Sequence, residues 1–146
     1  MSSDRQDWET PQAFFDTWDA VYYFTLDAAA TAENAKCENY ITPEMDALVT
    51  PWDAGGDGAI WLNPPYGKLQ SAFVTRAWSE SQRTGRIVAC LIPARTDTRL
   101  WHDVIFPAER SGRAEIIYIR GRLKFVGAAD SATFPSALVV FRRDPL

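Results

Sequence analysis

Ala59-Ile60-Trp61-Leu62-Asn63-Pro64-Pro65-Tyr66-Gly67 is the stretch on which the reading of this 146-residue chain turns. Its first four residues are a short apolar run. They leave a loop, residues 51–58, whose Gly55-Gly56 and Asp57-Gly58 pairs are turn formers. The run then stops on two successive prolines, each of which fixes φ and removes a backbone donor. Pro64 also pushes Asn63 toward extended backbone. The stretch therefore reads as a strand closed by a rigid, non-helical turn. That turn holds an amide side chain and a phenol ring beside exposed carbonyls, a construction suited to gripping a flat, amine-bearing group.

Working outward, residues 68–84 have helical periodicity, with Leu69, Ala72, Phe73 and Ala77 on one face and Gly85 as a stop. Residues 86–93 contain an unbroken Ile87-Val88-Ala89-Cys90-Leu91-Ile92 run, the pattern of a strand covered on both faces. Upstream, Thr10 reads as an N-cap and Pro11 as the first helical residue, with Phe14, Trp18 and Val21 on the apolar face. Residues 22–26 read as a buried strand ending at Asp27. Residues 28–35 read as a short helix or loop, 37–41 as a weak second strand, and Thr42-Pro43-Glu44-Met45-Asp46 as a capped turn. Downstream come a helix over 96–106, a strand over 115–119, a returning segment over 121–125 and a last strand over 136–141. This order predicts an α/β fold: a mostly parallel sheet with an antiparallel C-terminal end and helices on both faces. Ligands in such sheets sit at the carboxyl ends of the strands. Asp27, Asp46, Asn63 and Arg95 all fall there or in the loops just after.

Composition narrows the function. Residues 1–7 are polar and expected to fray, leaving residues 8–146 as one domain. The N-terminus lacks a signal-peptide pattern, and the apolar runs are far short of the roughly 20 residues that span a bilayer. A cytoplasmic protein with no membrane partner is expected. Cys37 and Cys90 are isolated and His102 is the single histidine, so no metal site is expected. No Gly-x-Ser-x-Gly elbow accompanies that histidine. The net charge is −4, whereas nucleic-acid binders are more often basic. Any hold on a polyanion must come from a local patch.

The turn suggests a specific chemistry. An exocyclic ring amine is a weak nucleophile because its lone pair is delocalised. Two acceptors, Asn63 Oδ1 and the Pro64 carbonyl, would take its two N–H hydrogens and free the lone pair, while Tyr66 stacks on the ring. This suits methyl transfer from S-adenosylmethionine to a planar amine, with orientation and electrostatic preorganisation carrying the rate. The tetrapeptide alone leaves other targets open: cytosine N4, an RNA base or a protein glutamine. It also leaves open a catalytically lapsed module that only holds cofactor or DNA, and a plain turn in which Asn63 caps the next helix.

The chain carries an ordered series of blocks: Trp8-Glu9-Thr10-Pro11, Leu26-Asp27-Ala28-Ala29, Asn34-Ala35-Lys36, Asn63-Pro64-Pro65-Tyr66-Gly67, Arg95-Thr96-Asp97-Thr98, Gly121-Arg122-Leu123-Lys124-Phe125 and Phe134-Pro135-Ser136-Ala137. Together these resemble the phage-type DNA N-6-adenine-methyltransferase family over nearly the whole chain. The resemblance implies a Rossmann-like methyltransferase domain, S-adenosylmethionine as cofactor, and methylation of adenine N6 in DNA. By that resemblance Asn63, Pro64, Pro65 and Tyr66 are catalytic. Asp27, Ala28 and Ala29 form the first cofactor loop. Thr10 and Pro11 meet the methionine end of the cofactor, Asp46 its adenine amine, and Asn63 contacts it as well. Base flipping is implied. With no long insert after Tyr66, sequence specificity is expected to be short or lax. Arg95, at the rim, and Arg122 and Lys124, on an alternating segment, are expected to contact DNA. One departure is Asp27-Ala28-Ala29-Ala30, where the broader class has Gly-x-Gly.

Overall fold

The structure, a computed structural model, describes residues 9–128 and 130–145. The expected frayed segment, residues 1–7, lies outside the described residues, as does Trp8. The sheet has five strands: β1 (Phe24–Asp27), β2 (Ala59–Leu62), β3 (Val88–Pro93), β4 (Ala114–Tyr118) and β5 (Ser136–Phe141), in the order β1-β2-β3-β5-β4. β1, β2 and β3 run parallel, and β5 is antiparallel to both of its neighbours. The expected α/β architecture with an antiparallel C-terminal end is therefore present.

Every residue of β2, β3 and β5 is buried, as continuous apolar runs require when helices cover both faces. On one face Ile60, Leu62, Cys90, Ile92 and Val139 pack against Val74 and Ala77 of helix α2 (Lys68–Thr84), and against Trp101, Ile105 and Ala108. Trp101 and Ile105 belong to a π-helical segment (Trp101–Ile105), and Ala108 to helix α3 (Phe106–Arg110) that follows it. On the other face Trp61, Ala89, Leu91, Leu138 and Val140 pack against Phe15 of helix α1 (Gln12–Tyr22) and against Phe125.

β1 changes phase within its length. Phe24 pairs with Ala59 but Leu26 pairs with Ile60, so Thr25 is one extra residue, a β-bulge. Phe24 consequently packs on the α1 face and Leu26 on the α2 face. Asp27, opposite Trp61, returns to the α1 side. Thr25 Oγ1 accepts a hydrogen bond from the buried Arg86 guanidinium at 3.0 Å. Arg86 also donates to the carbonyls of Gly58, Trp52 and Ala54 at 2.7, 3.0 and 2.8 Å. This ties the loop before β2 to the start of β3, at the edge opposite the strand carboxyl ends.

Several expectations are corrected. Tyr22 closes α1, and Tyr23 caps it in the left-handed region (φ 59°), so β1 starts at Phe24. Phe15 is the buried residue of α1, whereas Val21 is 58% exposed. α2 has the expected bounds, with Gly85 at φ 77° as its C-cap, but it buries Val74, Ala77, Glu80 and Ser81 and leaves Leu69 half exposed. Of the two alternatives for residues 28–35, the loop is the one present, as turns and bends. The weak strand over 37–41 shrinks to one bridge, Asp27 to Tyr40, with Asp27 N–H donating to Asn39 O at 2.9 Å and Ile41 N–H to Asp27 O at 2.9 Å. The helix expected over 96–106 starts at Arg99 and runs on to Arg110 through the π-helical segment. Residues 122–125 alternate in exposure but belong to no strand.

Candidate active site

Because β1, β2 and β3 are parallel, Asp27, Asn63 and the residues after Pro93 emerge at one sheet edge. Pro64 is buried, and Gly67 sits at φ 83°, ψ −146°, a backbone that a side chain would strain. The chain thus turns sharply from β2 into α2 and leaves residues 63–66 at the rim.

Asn63 Nδ2 donates to Thr10 Oγ1 at 3.0 Å. Thr10 is therefore not the cap of α1. Pro11 occupies that position with no side-chain cap, and the buried Thr10 hydroxyl instead orients the Asn63 amide. With its nitrogen committed there, the amide's acceptor is Oδ1. Tyr66 is held edge-on by two rings: Phe125 at 6.2 Å and 87°, and Phe134 at 5.5 Å and 69°. Its Oη is buried with no hydrogen-bond partner among the described residues, and burial pushes the phenol pKa up.

Asp27 is 3% exposed. Its carboxylate accepts the backbone N–H of Ala29 at 3.2 Å and of Lys36 at 2.9 Å. Burial pushes the carboxyl pKa up to about 6, although these two donors and the Lys36 charge pull it the other way. Asp46 is exposed at φ 60°, with Oδ1 accepting the Leu48 N–H at 3.0 Å.

Three hollows meet at this edge. A mainly apolar cleft of about 580 Å³ is lined by residues including Ala28, Ala29, Asp46, Asn63, Leu69 and Phe73. Its volume and lining are those of a site for a cofactor-sized molecule. The small Ala28 and Ala29 side chains keep its floor open where the broader class uses glycine, so the residues fit S-adenosylmethionine. The half-exposed Leu69 and partly buried Phe73 are its walls, which explains why α2 does not bury them fully. A narrow polar recess of about 30 Å³ adjoins it, lined by Glu9, Thr10, Asp27, Lys36, Trp61 and Asn63 among others. Across the Pro-Pro turn lies a second cleft, of about 600 Å³, bordered by Tyr66, Gln70, Pro93, Arg95, Arg99 and Trp101 among others.

The structure thus brings Thr10, Asp27, Ala28, Ala29, Asp46 and Asn63 together on one side of the turn, and Tyr66 with Arg95 on the other. Arg95 lies over the Phe134 ring at 5.6 Å. Arg122 and Lys124 are exposed on the irregular segment and line none of these three hollows. Glu9, Lys36, Gln70 and Arg99 were not singled out from sequence. Glu9 and Lys36 lie within the Trp8-Glu9-Thr10-Pro11 and Asn34-Ala35-Lys36 blocks, while Gln70 and Arg99 carry no such signal. Among the described residues, no group of three or more His, Cys, Asp or Glu is placed to hold a metal ion. No helix among them is long and apolar enough to cross a membrane.

The chain is similar to known proteins along almost its whole length. The family profile described as DNA N-6-adenine-methyltransferase (Dam) matches residues 1–144. A DNA N-6-adenine-methyltransferase of Haemophilus phage HP1 is 32% identical over 147 aligned residues, covering 95% of this chain and 80% of that protein. One of Escherichia phage T1 is 34% identical over 120 residues, covering 82% of this chain and 47% of that protein. With the profile spanning almost the whole sequence, the chain belongs to the DNA N-6-adenine-methyltransferase (Dam) family.

Proposed function

We propose that this protein methylates adenine N6 in DNA, taking the methyl group from S-adenosylmethionine in the 580 Å³ cleft and receiving a flipped adenine in the cleft across the turn. One observation carries this reading. Asn63 lines the first cleft and Tyr66, three residues on, lines the second, so the Pro64-Pro65 turn is the partition between them. When bound, S-adenosylmethionine supplies an electrophilic methyl on its sulfonium. The chain's own residues act on the amine. Asn63 Oδ1 and the Pro64 carbonyl accept its two N–H hydrogens and turn the lone pair toward the donor cleft. The Thr10 bond keeps the amide in that orientation. Tyr66, braced by Phe125 and Phe134, presents its ring to the base. Rate enhancement comes from orientation and preorganised acceptors.

Arg95 stands at the mouth of the second cleft, while Arg122 and Lys124 extend the cationic rim for phosphate contact. Sequence specificity is short or lax. Incubation with DNA and methyl-labelled S-adenosylmethionine, followed by mass spectrometry of the nucleosides, tests the reading. N6-methyladenine is the expected product. Label in cytosine or in protein overturns the target, and no transfer at all points to a lapsed binding module. Mapping the methylated adenines tests specificity, and a single long, strict site would overturn that part.

A further inference from the structure

Under the proposed function, the acceptors at the turn leave one question of target choice open. Asn63 Oδ1 and the Pro64 carbonyl favour an amine and repel a carbonyl oxygen. They therefore turn away guanine and thymine, which carry carbonyls at the corresponding ring positions. Cytosine carries an amine, as adenine does, and passes that test. A second reader is needed to separate these two. The adenine ring offers it N7, an acceptor beside the amine that cytosine lacks.

Gln70 has the free donor that such a reader requires. It lies in the first turn of α2, where its backbone N–H donates to Gly67 O at 3.2 Å. It borders the second cleft together with Tyr66. Its Nε2 is shielded from solvent and has no hydrogen-bond partner among the described residues. A shielded donor without a partner carries the desolvation cost of that group, which an incoming acceptor relieves. An amide N–H is also a neutral donor, matched to an uncharged ring nitrogen. By contrast, Thr98 Oγ1 at the same cleft already donates to Arg95 O at 2.8 Å. Ser71, Arg95 and Arg99 are exposed, and the two arginines suit phosphate better than the edge of a buried base.

We propose that Gln70 reads the purine ring, its Nε2 donating to N7 of the adenine seated against Tyr66. The inference rests on the second cleft being the target-base site. It divides recognition between two elements. The turn after β2 selects the amine, and the first turn of α2 selects the ring that bears it. A cytosine seated there would leave the Gln70 donor shielded and unpaired, the arrangement by which a polar site rejects an analogue lacking its partner atom.

Duplexes carrying one target nucleotide test this: adenine, 7-deazaadenine or 1-deazaadenine, each opposite an abasic site so that no base pair has to be broken. The proteins are wild type and Gln70→Met, and kcat/KM for methyl transfer is measured. Wild type is expected to methylate 7-deazaadenine at least about tenfold less efficiently than adenine, the scale of one lost hydrogen bond with its donor left unpaired. Gln70→Met is expected to treat the two alike, at the lower level. A merely structural role for Gln70 would lower both rates and keep their ratio, which overturns the assignment. Equal rates on adenine and 7-deazaadenine in wild type overturn it as well, as does a larger loss with 1-deazaadenine. The wild-type comparison needs no variant, so it decides even if Gln70→Met fails to fold. If wild type forms no N6-methyladenine from the adenine duplex, the target-base reading of the cleft falls too, a result distinct from failure of Gln70 alone.

Discussion

The two clefts flanking Pro64-Pro65 enclose nearly equal volumes, about 580 and 600 Å³, but are built by different means. The donor side is fixed by backbone hydrogen bonds. Ala28 N–H donates to Trp61 O at 2.9 Å, Ala30 N–H to Ile41 O at 3.0 Å, and Asp46 N–H to Thr42 O at 3.1 Å. The acceptor side is framed by side chains. Tyr66 leans on Phe125 and Phe134, and Arg95 on Phe134, both rings coming from a stretch outside the five strands that is tied by isolated bonds such as Val126 N–H to Glu9 O at 2.9 Å. A site whose ligand is always the same small molecule gains from a pre-shaped backbone. Under the proposed function the second cleft admits a base drawn from a helix, a task that walls able to repack would suit.

The sharpest way to break this contrast is at the partition. Asn63→Ala should lower methylation by at least about 100-fold, the scale of a lost preorganised polar contact, while S-adenosylhomocysteine binding is retained. Loss of binding and turnover in equal measure would make Asn63 a wall of the donor cleft only.

The donor side's buried charge gives the next effect. The Asp27 carboxyl titrates at about 6 when folded, against 3.8 for an unperturbed one. Below about pH 4 both states are protonated. As pH rises from there, the unfolded chain releases its proton first, so the wild type loses stability until about pH 6 and stays at the lower level above it. Measured by denaturant unfolding without ligand, wild type should lose up to about 3 kcal/mol relative to Asp27→Asn between pH 4 and 8. A difference that stays flat would mean that the carboxylate pays no burial cost.

On the acceptor side, Phe134→Ala removes the ring that supports both Tyr66 and Arg95. It should raise KM for DNA and lower kcat by about tenfold together, leaving S-adenosylhomocysteine affinity unchanged. An equal loss of cofactor affinity would show that the two clefts are not independent. The smallest effects belong to the rim. Arg122→Ala and Lys124→Ala should each weaken DNA binding a few-fold and reduce the salt dependence by about one charge. An unchanged salt slope would remove them from the interface.

The parts legible in the sequence are those set by local chemistry. The Pro-Pro turn, α2 between its flanking glycines, and the apolar β3 and β5 could be read because the residues that make them also delimit them. Long-range geometry decides the rest. Thr10 offered a hydroxyl that suits a helix cap or a partner for Asn63, and only the fold brings residue 63 within 3.0 Å of it. Lys36 looked like any loop lysine until Gln12, 24 positions away, closed over it. Residues 122–125 have the alternation of a strand, but they belong to none. The α2 face was misjudged because Leu69 and Phe73, apolar by sequence, line a cleft as well as the core.

Thr25 has a consequence at the level of the gene. Losing one residue from a strand ordinarily turns every later side chain to the wrong face. Here the loss of this codon would leave Phe24, Leu26 and Asp27 in strict alternation, each on the side it already occupies. The casualties would be local: the Arg86 bond to Thr25 Oγ1, the Asn39 amide on Thr25 O, and the close seating of Gly55 and Gly58. The strand therefore tolerates a length change at that one site without re-aiming Asp27. A deletion one step later, at Leu26, shortens the strand by the same one residue but removes the side chain that anchors β1 in the core.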